Sequence, residues 1–122
     1  MRVLLAKKLA RLASLAAQRQ YIVHGSRDAY YLPSELLNDA HEVVEQVRAA
    51  PRGRSGLAPN AEQAVLVLEE LLAEASHSTD RCGNEELIER DSAWKAVREQ
   101  AARCLDLLEF NLQAWEKAEI RP

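Results

Sequence analysis

The chain has 122 residues, a formal net charge of −3 and 48% apolar residues, so one domain spanning residues 1–122 with a single core is predicted. Four glycines and four prolines are too few for the many turns of an all-β protein, and two cysteines exclude a disulfide-stapled scaffold. No apolar run reaches the ~18 residues of a membrane span, so we expect no membrane partner, no secretory signal and a cytoplasmic protein.

The charges are unevenly distributed along the chain. Residues 1–27 carry six basic side chains and no acidic one, whereas the remainder is acidic. The first interpretation is that the basic start is neutralised by the acidic body within one fold, and the alternative is a basic arm for an anionic partner. Arg48, Arg52 and Arg54 form a second basic group, but no aromatic residues are interleaved with them, so nucleic acid is not an expected partner.

The first helical pattern covers residues 2–18, where leucines and alanines recur every three or four positions. It ends at residues 21–23, a Tyr-Ile-Val run that favours extended backbone. Residues 21–32 are the one non-helical stretch that is rich in reactive side chains. They predict either a short β-hairpin around Gly25 and Ser26, between the first two helices, or an ordered extended connector.

Two amphipathic helices follow. Pro33 suits the first position of a helix over residues 33–50, and Asn60 with Gln63 matches a capping box that predicts a helix over residues 60–76. Residues 77–83 are polar and are predicted to form a loop. Cys82 lies in that loop and Cys104 lies on an apolar helix face, so two free thiols are expected.

The longest uninterrupted helical pattern covers residues 85–117, a rod of roughly 50 Å at about 1.5 Å per residue. Its apolar stripe includes the following residues at intervals of seven: Leu87, Trp94, Ala101, Leu108 and Trp115. We therefore predict an all-α fold, an irregular four-helix up-down bundle with one long C-terminal helix. Trp115 would overhang the shorter helices and offer a surface for self-association.

Three carboxylates, Glu85, Glu86 and Glu89, stand at the start of that pattern in an EExxE arrangement. Carboxylates at these spacings share a helix face and can hold Mg²⁺ on a phosphate chain. The arrangement resembles the first half of the motif of the MazG-like and dUTPase-like all-α nucleotide pyrophosphohydrolases, which implies a metal-dependent enzyme. The second half of that motif, ExxD on a following helix, is absent. The competing interpretation is an acidic first turn that complements the helix dipole.

Arg19 and His24 have an RxxxxH spacing. This spacing resembles the active-site pair of the HEPN helical ribonucleases and implies RNA cleavage by these two side chains across a dimer. In that family the pair lies at a later helix–loop junction, whereas here it follows the first predicted helix.

All three tyrosines of the chain lie in the non-helical stretch, together with His24, Arg27 and Asp28. Tyrosine and arginine are frequent anchors of protein interfaces, although the same rings could cap one end of a bundle. We predict a partner-binding site made of the following residues: His24, Arg27, Asp28, Tyr30, Tyr31 and Trp115.

The favoured hypothesis is a small, non-enzymatic interaction or accessory module, of the kind found among bacterial immunity proteins and antitoxins by class only. It would bind another protein or a second copy of itself, and no cofactor is expected. The first alternative is the pyrophosphohydrolase-like enzyme using Glu85, Glu86 and Glu89. The second is the HEPN-like ribonuclease using Arg19 and His24.

Overall fold

The computed structural model describes residues 2–51 and 55–120, and in these ranges the protein is all-α, as predicted. Seven α-helices and one π-helical turn follow each other within the described ranges. They are α1 (Arg2–Ala13), α2 (Leu15–Gln18), the π turn (Arg19–Val23), α3 (Pro33–Ala49), α4 (Pro59–Arg81), α5 (Asn84–Glu89), α6 (Ser92–Leu107) and α7 (Leu112–Glu119). None of the helices in the described ranges has both the length and the apolar character that crossing a bilayer requires.

The four longer helices form the core. α1 contacts α3 and α6, and α4 contacts the same two helices, so all four surround one apolar interior. Lys8 pairs with Glu42 at 2.7 Å and Arg11 pairs with Asp39, so the partners follow each other in inverse order, as in antiparallel helices. The up-down alternation of all four helices and the single-domain assignment stay predictions.

The first predicted helix is interrupted at Ser14, which is a correction to the helix expected over residues 2–18. Ser14 has extended backbone, and its hydroxyl oxygen accepts a hydrogen bond from the Ala17 N–H at 3.0 Å, which starts α2. A serine side chain competes in this way for backbone donors. The Tyr-Ile-Val run after α2 is also helical instead of extended: it lies in the π turn, which buries Ile22.

After the π turn the chain forms a tight turn followed by irregular backbone, and the predicted β-hairpin is not confirmed. A single antiparallel bridge joins Ser26 and Ala29, and no strand is formed in the described part of the chain. We refer to residues 24–32 as the connector.

The long C-terminal helix predicted over residues 85–117 is wrong, because the chain bends twice within it. Asp91 leaves the helical conformation, and its carboxylate caps α6 by accepting from the Trp94 N–H at 2.9 Å. Asn111 does the same for α7, through the Ala114 N–H at 2.9 Å. Aspartate and asparagine are good N-caps, so they allow the stripe to fold back onto its own chain.

Other boundaries also differ from the prediction. Asn60 is not a capping-box residue: α4 starts at Pro59, and Asn60 Oδ1 accepts from the adjacent Ala61 N–H. α4 continues to Arg81, through most of the predicted loop. Both cysteines are free, as predicted; Cys104 is buried, and burial raises the pKa of its thiol to about 12.

Candidate functional site

A buried glutamine organises the end of the molecule where the candidate site lies. The interruption at Ser14 deprives the last carbonyls of α1 of their helical partners. The Gln18 side chain replaces those partners, because its Nε2 donates to Arg11 O at 2.9 Å and to Leu12 O at 2.7 Å. Gln18 is fully buried, so these two carbonyls have a hydrogen-bond partner inside the protein.

The other half of the Gln18 carboxamide joins α2 to α6. Its Oε1 accepts from Trp94 Nε1 at 3.0 Å and from Arg98 at 3.2 Å, and Arg98 also donates to Ile88 O. Tryptophan and arginine only donate, so the amide orientation is determined by its partners. Burial lowers the pKa of Arg98. We call Gln18, Trp94 and Arg98 the polar node; it joins α2, α5 and α6.

The residues of the two enzyme hypotheses meet on the surface next to this node. The Arg19 guanidinium forms a two-pronged pair with the Glu89 carboxylate, with N–O distances of 2.7 to 3.1 Å. The hydrogen bond and the charge of Arg19 lower the pKa of Glu89. Arg19, the arginine of the predicted ribonuclease pair, is therefore bound to Glu89, the third carboxylate of the predicted metal motif. His24, the other member of the ribonuclease pair, is exposed.

The acidic start of α5 fits the dipole interpretation of the EExxE arrangement. Glu85 and Glu86 are exposed in the first turn of the helix, and Glu85 lies 3.9 Å from Arg90. Among the described residues, no three His, Cys, Asp or Glu side chains are grouped so that they could hold a metal ion.

The connector backbone is fixed by hydrogen bonds at two points. The Tyr31 N–H donates to Tyr21 O at 2.8 Å, and Ser26 and Ala29 exchange two backbone hydrogen bonds of 3.0 and 3.2 Å. Gly25 sits where a Cβ would lie 2.6 Å from Tyr21 O, so any side chain would force the two segments apart. The connector is thus a defined turn.

Two tyrosines bind the C-terminal helix: Tyr21, in the π turn, and Tyr31, in the connector. The rings of Tyr21 and Tyr31 lie 4.8 Å apart between centroids. The Tyr21 hydroxyl donates to the backbone carbonyl of Glu119 at 2.7 Å, and the Tyr31 hydroxyl donates to the Glu119 carboxylate at 3.0 Å. These contacts attach the C-terminal end of α7 to Tyr21 and Tyr31.

Arg11 supports the same cluster from α1. Its guanidinium lies 5.1 Å from the centroid of the Tyr31 ring and also pairs with Asp39. Burial, together with the Glu119 carboxylate, raises the pKa of Tyr31, so its hydroxyl stays protonated and continues to donate. Tyr31 is therefore held between α1 and α7.

The outer face of the connector is exposed. Tyr30 is 58% exposed and Leu32 is 44% exposed, and both are large apolar side chains. Asp28, Ala29, Tyr30 and Tyr31 line a groove of about 380 Å³ whose other wall is formed by Tyr21 and Glu119. The groove and its rim offer an aromatic ring, an apolar side chain and a carboxylate to a partner.

The structure places five of the six predicted partner-binding residues on this connector. His24, Arg27, Asp28 and Tyr30 are exposed, and Tyr31 is half-buried. Trp115 lies on α7, where it packs against the core cluster instead of overhanging the bundle. It thus helps to attach α7 to the core.

Two functional candidates were missed from the sequence. Leu32 is exposed beside Tyr30, and its signal was an apolar residue that falls outside any helical period, directly before Pro33. Glu119 carries no local signal, because its role depends on two tyrosines that are 88 and 98 positions away.

Three of the six basic side chains at the start of the chain pair with the acidic body, in the direction of the first interpretation of the charge asymmetry. Lys8, Arg11 and Arg19 pair with Glu42, Asp39 and Glu89 respectively. Arg48 pairs with Glu45 and Glu69, whereas Arg52 and Arg54 lie outside the described residues.

Comparison with models of known families, with curated proteins and with solved structures gave no match.

Proposed function

We propose that this protein is a non-enzymatic interaction module and that the connector is its binding surface for another protein. The observation that carries the proposal is that Tyr30 and Leu32 are exposed on a segment whose backbone is fixed by hydrogen bonds. An accessory or regulatory role, of the immunity or antitoxin class, is consistent with such a module.

The fixed backbone lowers the cost of binding. A loop that is already ordered loses little conformational entropy when a partner docks, so more of the contact energy is retained as affinity. Gly25, the paired turn of Ser26 and Ala29, and the Tyr21–Tyr31 ring contact provide this order.

The side chains of the connector match the composition of interface anchors. Tyr30 supplies a large ring with few rotatable bonds, Leu32 supplies apolar area, and Arg27 supplies a planar donor. Asp28 is adjacent to Arg27 in sequence and carries the opposite charge. A complementary partner would therefore present an apolar pocket for the exposed apolar side chains, with a negative and a positive group close to it.

The two enzymatic alternatives are less well supported by the geometry. Each of them requires a side chain free to act, and Arg19 and Glu89 are bound to each other. A metal site on Glu85, Glu86 and Glu89 would first have to separate that pair.

The binding surface is tested by affinity capture with the full-length protein from cells of its source, followed by calorimetry with the purified partner. We expect a partner that is retained by wild type and lost with Tyr30→Ala, with about a hundredfold weaker affinity for the variant, as for an interface anchor. Gln46→Ala, an exposed change on α3, is the matched control. A partner retained equally by all three proteins would bind elsewhere and would refute the connector as the site.

The enzymatic alternatives have their own test. If the metal motif is functional, millimolar Mg²⁺ or Mn²⁺ raises the melting temperature of wild type and not that of Glu86→Gln. If the RxxxxH pair is functional, wild type cleaves RNA and His24→Ala does not. Either result would replace the interaction proposal with an enzymatic one.

A further inference from the structure

The C-terminal helix α7 is attached to the rest of the protein differently from the other helices. None of its residues is buried, and its main helical neighbour is α2. Beyond the packing of Leu112 and Trp115, it is held by hydrogen bonds from Ser14 to Glu116 and from the two tyrosines to Glu119. We call the surface formed by Ser14, Tyr21 and Tyr31 the α7 seat.

The link between α6 and α7 contains the only non-glycine residue with a positive φ in the described part of the chain. Glu109 has a φ of 59°. Its N–H donates to Asp106 O, and the Phe110 N–H donates to Leu105 O at 3.0 Å. This is the Schellman pattern of helix ends, in which glycine normally takes the left-handed position. A glutamate there is strained by its Cβ.

The sequence of this link is compatible with a continuous helix as well as with the bend. Residues 108–111 contain no glycine and no proline, and the apolar stripe continues across them from Leu108 to Trp115. A continuous helix would remove the strain at Glu109, whereas the cap on Asn111 and the packing of Phe110 hold the bend. The strain at Glu109 and the continuous apolar stripe make this link a candidate hinge.

A straightened link would carry α7 away from its own seat. Both the α7 seat and the seat-facing side of α7 would then lack their partners, unless a second copy supplied them. Reciprocal exchange restores every seat contact in both copies and relieves the strain at both links. This is the condition under which exchange of an identical element gives a closed, two-fold dimer.

We propose that two copies of this chain dimerise by exchanging α7, with residues 108–111 as the hinge. The occupant of the α7 seat in the dimer is α7 of the second copy. The inference does not depend on the exposed side chains of Tyr30 and Leu32, because the α7 seat is formed by Ser14, Tyr21 and Tyr31.

Dimerisation is measured by light scattering coupled to size exclusion, over a concentration series of wild type, Glu109→Gly, Glu109→Ala and Asn111→Ala. Glycine stabilises the bend and weakens a continuous helix, so Glu109→Gly should weaken dimerisation about tenfold per hinge, or on the order of a hundredfold per dimer. Glu109→Ala removes the same side chain without favouring the bend, and it should dimerise at least as well as wild type. Asn111→Ala loses the cap and should strengthen dimerisation roughly fivefold per hinge.

Hydrogen exchange adds a second readout, and circular dichroism confirms that each variant is folded. In the exchanged dimer the first amides of α7 lie in the interior of a continuous helix, so they gain hydrogen-bond partners and protection relative to the monomer. Two results overturn the proposal: Asn111→Ala remaining monomeric at the highest attainable concentration, or a dimer whose affinity none of the hinge variants changes. A dimer lost only with Tyr30→Ala would also overturn it, while leaving the connector surface intact.

Discussion

The two tryptophans lie in two regions that are stabilised by different means. Trp94, on α6, is 0% exposed, packs in the core and donates to Gln18. Trp115, on α7, is only partly buried and packs against the outside of the same core. Both occupy the same apolar stripe in the sequence, at positions that differ by three intervals of seven. The stripe is thus one local pattern with two structural outcomes.

The difference shows that an apolar helix face becomes buried only where other helices of the chain are placed to cover it. α6 is enclosed by α1 and α4, so its contribution to stability is mainly apolar burial. α7 follows a bend and meets the short α2, so its attachment relies on a few hydrogen bonds, each worth about 1 kcal/mol. Opening of α7 should therefore cost less than global unfolding.

The largest expected effect is the difference in stability loss between a change in α6 and a change in α7. Trp94→Ala should lower the free energy of unfolding by about 3–5 kcal/mol, because it leaves a cavity in the core. Trp115→Ala should lower it by roughly 1 kcal/mol, because a half-buried side chain loses less area. Denaturant unfolding followed by circular dichroism measures both. Equal losses for the two variants would contradict the comparison.

The next effect tests the polar node on the α6 side. Gln18→Leu should cost about 2–3 kcal/mol, because it leaves buried carbonyls of α1 and the Trp94 N–H without partners. The double change with Trp94→Phe should cost less than the sum of the two single changes, because both remove the same hydrogen bond. Strict additivity in denaturant unfolding would show that the node is not coupled.

The smallest effect concerns the surface pair of Arg19 and Glu89. Arg19 lowers the pKa of Glu89 below its ordinary value of 4.5, so the folded state binds a proton less readily than the unfolded state. The stabilisation is present above that value and is lost as the pH falls through the folded pKa. The melting temperatures of wild type and Arg19→Gln should therefore differ at neutral pH and converge in acid.

The matched control for this pair is Lys8→Gln, because Lys8 similarly lowers the pKa of Glu42. The side chains of that second pair are 37% and 58% exposed, against 53% and 28% for Arg19 and Glu89. Salt should reduce both differences. A gap between wild type and Arg19→Gln that persists unchanged into acid would rule out the ion pair as its origin.

The sequence by itself determined the fold class and the approximate position of the helices. Apolar residues at helical spacing are a local property, so α3, α4 and α6 could be recognised from their own residues. The free state of the two thiols also followed from composition and spacing. The connector could be located, but its hairpin alternative differed too little in local preference to be separated.

Only the tertiary structure decided where the long stripe bends and which distant residues meet. Ser14, Asp91 and Asn111 each tolerate a helix interior or a cap, and the choice depends on packing that no local window contains. Arg19 and Glu89 lie 70 positions apart, and Glu119 reaches the tyrosines only because α7 folds back. Long-range contacts of this kind have no periodic signal, whereas helices repeat theirs every turn.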